Sequence, residues 1–208
     1  MIIMKYAAAI AGLMLCVSAS GCITGHNNTK VSTMTDMSNK TILMVIAPSN
    51  FRDEELSIPK EFFEKNGAEV VIASKKKGTA RGMLGKIISI DLLVSDVDVS
   101  DYDALVFVGG SGVESHKLYD DPAYLKLATD ADAAGMIIGA ICLGPMIPAN
   151  AGLLSGRNAT VFESGVSYIT DRGANYTGAG VTQDGRIITG EGPHAAEEFA
   201  RTIAEALA

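Results

Sequence analysis

An α/β fold, with a mainly parallel sheet sandwiched by helices, is the class this sequence predicts for residues 40–208. Short β-branched runs alternate there with longer amphipathic stretches, the order that builds a parallel sheet covered on both faces. Two apolar runs, beginning at Val106 and Ile138, end in small-residue turns, Gly109-Gly110-Ser111-Gly112 and Cys142-Leu143-Gly144-Pro145. The second turn holds Cys142 at its apex over the strand ends, the geometry of a nucleophile elbow. A thiol at the start of a helix faces unpaired backbone N–H groups, which favour the thiolate.

The elements follow in order. Residues 41–47 form a first buried strand, ended by Pro48. Residues 54–66 carry Leu56, Ile58, Phe62 and Phe63 near helical spacing and stop at Gly67, a suitable residue just past a helix end. Residues 68–73 are a second strand. Residues 85–91 and 92–99 read either as an antiparallel excursion or as an extended loop. Residues 104–108 are strand-like; Asp121-Pro122 opens a helix to Ala134, with Gly135 as its stop. Residues 136–140 are the strand that delivers Cys142, and 145–154 the helix behind it. Residues 181–189 form a hairpin about a two-residue Asp184-Gly185 turn, and 193–207 close the chain as an amphipathic helix. No internal repeat or second domain is evident. In open parallel sheets reactive groups gather beyond the carboxyl ends of the strands, which marks residues 49–55, residues 109–112 and Cys142.

The first forty residues differ from the rest. Lys5 precedes a short apolar stretch, residues 6–17, and small residues lead to Cys22. That stretch is shorter than the roughly 20 residues needed to span a bilayer, so residues 1–21 read as a signal peptide. A Cys directly after Ala19-Ser20-Gly21 resembles the lipobox of prokaryotic lipoproteins, in which the Cys is lipidated. This implies an exported protein, anchored to the membrane on the extracytoplasmic side. A plain signal peptide, giving a secreted or periplasmic protein, is the alternative. Residues 22–39, rich in Thr, Ser and Asn, read as a flexible tether.

Cys16 and Cys22 lie in these segments, so only Cys142 remains in the folded part and no disulfide can form within it. Thiolate metal sites are excluded likewise, and three scattered histidines offer no ligand spacing. No metal or organic cofactor is expected. The net charge of −7 argues against a nucleic-acid partner.

Four segments carry a resemblance: residues 51–59 from Phe51 to Pro59, 102–110 from Tyr102 to Gly110, 140–145 around Cys142, and 184–193 before the last helix. Together, in this order, they are similar to the DJ-1/PfpI superfamily, a branch of the flavodoxin-like, class I glutamine amidotransferase-like fold. The resemblance maps the family's nucleophile onto Cys142 and its partner acid onto Glu55, four places before Pro59, with Glu54 the adjacent candidate. A buried, protonated Glu can donate a hydrogen bond to a thiolate or to an oxidised sulfur. Amides of Gly109, Gly110 and Leu143 would then form an oxyanion site. A homodimer is implied as well. One departure matters: protease-like members place a His directly after the Cys, where this chain has Leu143. A second pocket histidine of the family falls at Phe162. His194 and His116 are possible accessory residues.

Three functions compete on these residues. The first is a glyoxalase- or deglycase-like enzyme acting on small reactive aldehydes. A non-enzymatic oxidative-stress sensor or chaperone, in which an oxidant modifies Cys142, is the second. The third is a cysteine peptidase, which Leu143 disfavours because it supplies no acid for an amine leaving group.

Overall fold

A computed structural model describes residues 35–90 and 92–208. The expected signal segment 1–21, Cys22 and residues 23–34 lie outside the described residues. Packed structure begins at Met37, inside the expected tether. Its side chain is fully buried and its amide donates to the Asn66 carbonyl at 2.8 Å.

The central strand β1 (Thr41–Ile46) is buried at every position after the first. An unbroken apolar run of this kind suits a strand covered on both faces. A short β2 (Ser49–Phe51) leads into helix α1 (Asp53–Lys65), followed by β3 (Glu69–Ser74). The ambiguous stretch then resolves as a side sheet and a return. β4 (Gly78–Gly82) and β5 (Ile87–Ile90) pair antiparallel, β2 joins β4, and β6 (Leu92–Leu93) pairs with β3. Sequence periodicity missed β4 because it is largely exposed, with glycine at both ends.

β7 (Ala104–Phe107) is followed by α2 (Gly112–Ser115), α3 (Pro122–Ala133) and β8 (Ile137–Ile141). The helix after Cys142 is shorter than expected. α4 covers only Met146–Asn150, because Gly152, at φ +80°, turns the chain away. β9 (Asn158–Ala159), α5 (Val166–Thr170) and β10 (Asn175–Tyr176) fill the stretch before the hairpin of β11 (Val181–Asp184) and β12 (Ile187–Gly190). Asp184 pairs with Ile187, so the two turn residues are Gly185 and Arg186, one place beyond the expected pair. Gly185, at φ +62°, sits at the first turn position, where type II′ hairpins favour glycine.

The main sheet runs β11-β12-β8-β7-β1-β3-β6 and is parallel except at β11–β12. β1 crosses through α1 to β3 on one side; β7 crosses through α3 to β8 on the other. Right-handed crossovers leaving in opposite directions place α1 and α3 on opposite faces. The carboxyl ends of β1 and β7 therefore border the crevice where such sheets bind ligands.

The last helix, α6 (Ala196–Leu207), packs on α1, β8 and β12. Its buried Ala196, Phe199, Ala200, Ile203 and Ala204 recur at helical spacing. Gly139 on β8 lets the helix approach: a Cβ there would lie 2.7 Å from Ile203 Cδ1 and 2.9 Å from Phe199 Cζ. Phe199→Ala should cost about 3–5 kcal/mol, read as a lower urea midpoint at unchanged slope. A loss below 1 kcal/mol, on the order of a surface change, would show that α6 does not close the core.

Candidate active site

Cys142, directly after β8, has φ +60°, a left-handed backbone that costs a non-glycine residue about 1–3 kcal/mol and persists only where neighbours hold it. Two bonds hold it here. Its amide donates to the Gly190 carbonyl at 2.9 Å, and its carbonyl accepts from the Phe162 amide at 3.0 Å. The side chain is thereby turned over the strand ends, 7% exposed.

Glu55, in the first turn of α1, is fully buried. Its Oε2 accepts from the Gly109 amide at 3.1 Å. Its Oε1 has no well-aligned partner, and the Cys142 thiol is the polar side chain beside it. Glu54 takes the opposite course: it is salt-bridged to Arg52, Oε2 to Nε at 2.9 Å and Oε1 to the terminal guanidinium nitrogen at 3.1 Å. Successive residues on a helix point about 100° apart, so one turn sends one carboxylate inward and its neighbour outward.

The glycine turn after β7 makes the contact possible. A Cβ on Gly109 would lie 2.5 Å from Cys142 Cβ and 2.7 Å from Glu55 Oε2. Gly110 adopts φ +108°, and a Cβ there would meet the Arg52 nitrogen at 2.5 Å. One expectation is corrected. The Gly109 amide is committed to Glu55, so the amides left to face the sulfur are those of Gly110 and Leu143.

Burial pushes the Glu55 carboxyl up to about 8, against the hydrogen bonds from Cys142 and Gly109. Burial also pushes the Cys142 thiol up to about 12, reinforced by the neighbouring Glu55 charge and opposed by the Gly110 and Leu143 amides. Burial thus opposes the thiolate that the turn amides favour: α4 is short, and the sulfur is nearly enclosed. Near neutral pH the pair holds both protons. The first leaves near pH 8 from a site the two groups share.

Cys142, Glu55, Gly110 and Leu143 floor a cleft of about 230 Å³, with Arg52, Met83, Ser111, Glu114, Phe162 and Ser164 on its walls and Pro193 at its side. Arg52, Met83 and Glu114 went unrecognised from sequence. Arg52 stands inside the 51–59 motif, but nothing local says which way it points. The histidines do not join them. His116 Nε2 lies 2.8 Å from Ser49 Oγ outside the cleft lining, its pKa lowered by burial and by Lys76 and Lys75. His194 is exposed beside the lining residue Pro193. Among the described residues no three His, Cys, Asp or Glu side chains group to hold a metal ion.

A family model described as DJ-1/PfpI family matches residues 40–206. An uncharacterized protein of Methanocaldococcus jannaschii is 37% identical over 96% of this chain and 96% of its own. A protein of Thermococcus kodakarensis named a deglycase is 30% identical over 73% of this chain and 90% of its own. Among solved structures, a ThiJ/PfpI domain protein of Brachyspira murdochii superposes with TM-score 0.79 at 36% identity, covering 82% of this chain and 97% of that one.

The raised Glu55 pKa ties stability to pH. The folded protein holds this proton more tightly than the unfolded chain. The stabilisation from Glu55 is thus whole below its ordinary value of 4.5 and lost as pH rises through about 8. Across that window the unfolding free energy of the wild type should fall relative to Glu55→Gln by on the order of 3–5 kcal/mol. Urea titrations at several pH values check this; parallel curves would mean that Glu55 titrates like an exposed acid.

Proposed function

This chain belongs to the DJ-1/PfpI family, and we propose that it is a cysteine-dependent enzyme acting on small reactive carbonyls, glyoxalase- or deglycase-like, with Cys142 as nucleophile and Glu55 as proton carrier. The observation that carries the reading is a buried carboxyl against a thiol, under two amides, at the floor of one cleft. No metal or organic cofactor takes part in it.

For a 2-oxoaldehyde the steps balance as an isomerisation followed by hydrolysis. The Cys142 sulfur bonds to the aldehyde carbon while the thiol proton passes to ionised Glu55. The oxygen that becomes negative is held by the Gly110 and Leu143 amides, then takes the proton back from Glu55 to complete a hemithioacetal. Glu55, again a carboxylate, removes the hydrogen from that carbon to give an enediolate and returns it to the adjacent ketone carbon, while the hemithioacetal hydroxyl proton passes to the former ketone oxygen, leaving a thioester of a 2-hydroxy acid. Water cleaves the thioester and restores the thiol.

Peptide hydrolysis asks for more, because an amine leaving group must be protonated. Leu143 follows the nucleophile and, among the described residues, no histidine lines the cleft. Aldehyde addition expels no group, and a thiolate leaves readily. The balance therefore favours the carbonyl reading over the peptidase. Residues 6–17 and Cys22 support an exported, lipid-anchored protein, and family resemblance supports a homodimer. Incorporation of labelled palmitate, lost in Cys22→Ser, tests the anchor.

Methylglyoxal turnover should vanish in Cys142→Ser and fall by about 10²-fold or more in Glu55→Gln. Because the reactive form has one proton fewer than the resting pair, kcat/KM should climb with pH and level off above about 8, and in Glu55→Gln the levelling near 8 should be lost, since only the thiol then titrates. Wild-type rates in both variants would exclude the mechanism.

A further inference from the structure

We propose that the cleft selects neutral 2-oxoaldehydes whose substituent is an alkyl chain longer than methyl, with Phe162 and Met83 as the residues that determine this specificity. The inference rests on the carbonyl reading above and adds the substrate class.

Cys142 and Glu55 sit at the floor of the site, where an aldehyde carbon would meet the sulfur. Of the lining residues around them, Met83, Phe162 and Pro193 are apolar, and Arg52, Ser111, Glu114 and Ser164 are polar. Phe162 and Met83 are 41% and 43% exposed, large apolar surface that gains by being covered. Their position is fixed by the site itself. The Phe162 amide donates to the Cys142 carbonyl at 3.0 Å, and the Met83 amide to the Phe51 carbonyl at 2.9 Å.

The turn that carries Met83 is clamped a second time. Buried Asp53, two residues before Glu55, accepts from the Leu84 and Lys86 amides at 2.8 and 2.7 Å. One helical turn thus sets both the proton carrier and the apolar wall.

Charge excludes the obvious competitors. Arg52, the cation among the lining residues, is held by Glu54, and Glu114 adds a carboxylate. A carbonyl compound bearing its own carboxylate or phosphate would find no unpaired positive charge among the described lining residues. Size points the same way: about 230 Å³ holds roughly seven waters at ~30 Å³ each, more room than a three-carbon aldehyde fills.

The experiment compares methylglyoxal, 2-oxopentanal and 2-oxoheptanal, which share one reactive head, with 4,5-dioxopentanoate as the anionic member. In the wild type kcat/KM should rise by up to about fourfold per methylene, reaching at least tenfold at 2-oxoheptanal, with the anionic compound slowest. Phe162→Ala and Met83→Ala should flatten the series; Phe162→Leu should keep most of the slope. A flat or falling wild-type series overturns the proposal and leaves the carbonyl chemistry standing.

A second measurement is independent of turnover: the rate of Cys142 alkylation by N-methyl-, N-butyl- and N-hexylmaleimide. Failure to turn over any aldehyde would remove the carbonyl reading, while a chain-length slope in alkylation, lost in Phe162→Ala, would still support apolar selection. An alkylation rate independent of chain length would overturn it. So would a slope seen only in dilute monomer, since a second copy would then be what covers the wall.

Discussion

The contact on which the site depends is the close approach of two chain segments at Gly109. Its amide donates to Glu55 and its carbonyl accepts from the Arg52 amide at 3.0 Å. Gly109, just after β7, therefore ties down the start of α1 through both of its backbone polar groups. Any side chain there would collide with Cys142, with Glu55 and with the Ile141 carbonyl. The absence of a Cβ is what lets the β1–α1 half of the sheet bring Glu55 to Cys142 of the β7–β8 half. The crossovers leave in opposite directions at this point, so the crevice between the halves is a product of topology.

Enclosing the acid and the thiol together has an electrostatic consequence. Burial penalises the charged form of each, and charge on one raises the other's hold on its proton. The resting pair is neutral, and a neutral pair can share a cleft with apolar walls without leaving an uncompensated buried charge. The amides of Gly110 and Leu143 do not change this balance at rest. They act when negative charge develops on sulfur or on an attacked oxygen, which is where fixed dipoles in an enclosed site count most.

The walls complete the same logic. Leu143 and Phe162 stand where the family resemblance leads one to look for imidazoles, and the two histidines nearest in sequence to the site elements stay outside the cleft. Glu55 is left as the acid beside the sulfur. The chemistry best supported is one in which a single shared proton suffices and the leaving group is a thiolate. An apolar rim pinned by backbone bonds to Phe51 and Cys142 then bears on which molecule reaches the nucleophile.

Much of the fold could be read locally, because periodicity, glycine stops and Asp-Pro or Asp-Gly pairs act over a few residues. The order of strands β1, β3, β7 and β8, the amphipathic α6 and the elbow that strains Cys142 all come from such short-range signals. Side strand β4 escaped because exposed strands carry no apolar pattern, and α4 was overextended because Gly152 looked no different from a helical glycine. By itself the sequence determined the architecture, singled out Cys142 at the elbow and, through the 51–59 motif, narrowed the partner acid to Glu55 or its neighbour Glu54. Only the tertiary structure decided which carboxylate faces inward, that the Gly109 amide serves Glu55, that burial opposes charge on the thiol, and that among the described residues no histidine lines the cleft. Those outcomes turn on distances between segments as far apart as the 54 residues separating Glu55 from Gly109, and desolvation at such a contact has no signature in either segment alone.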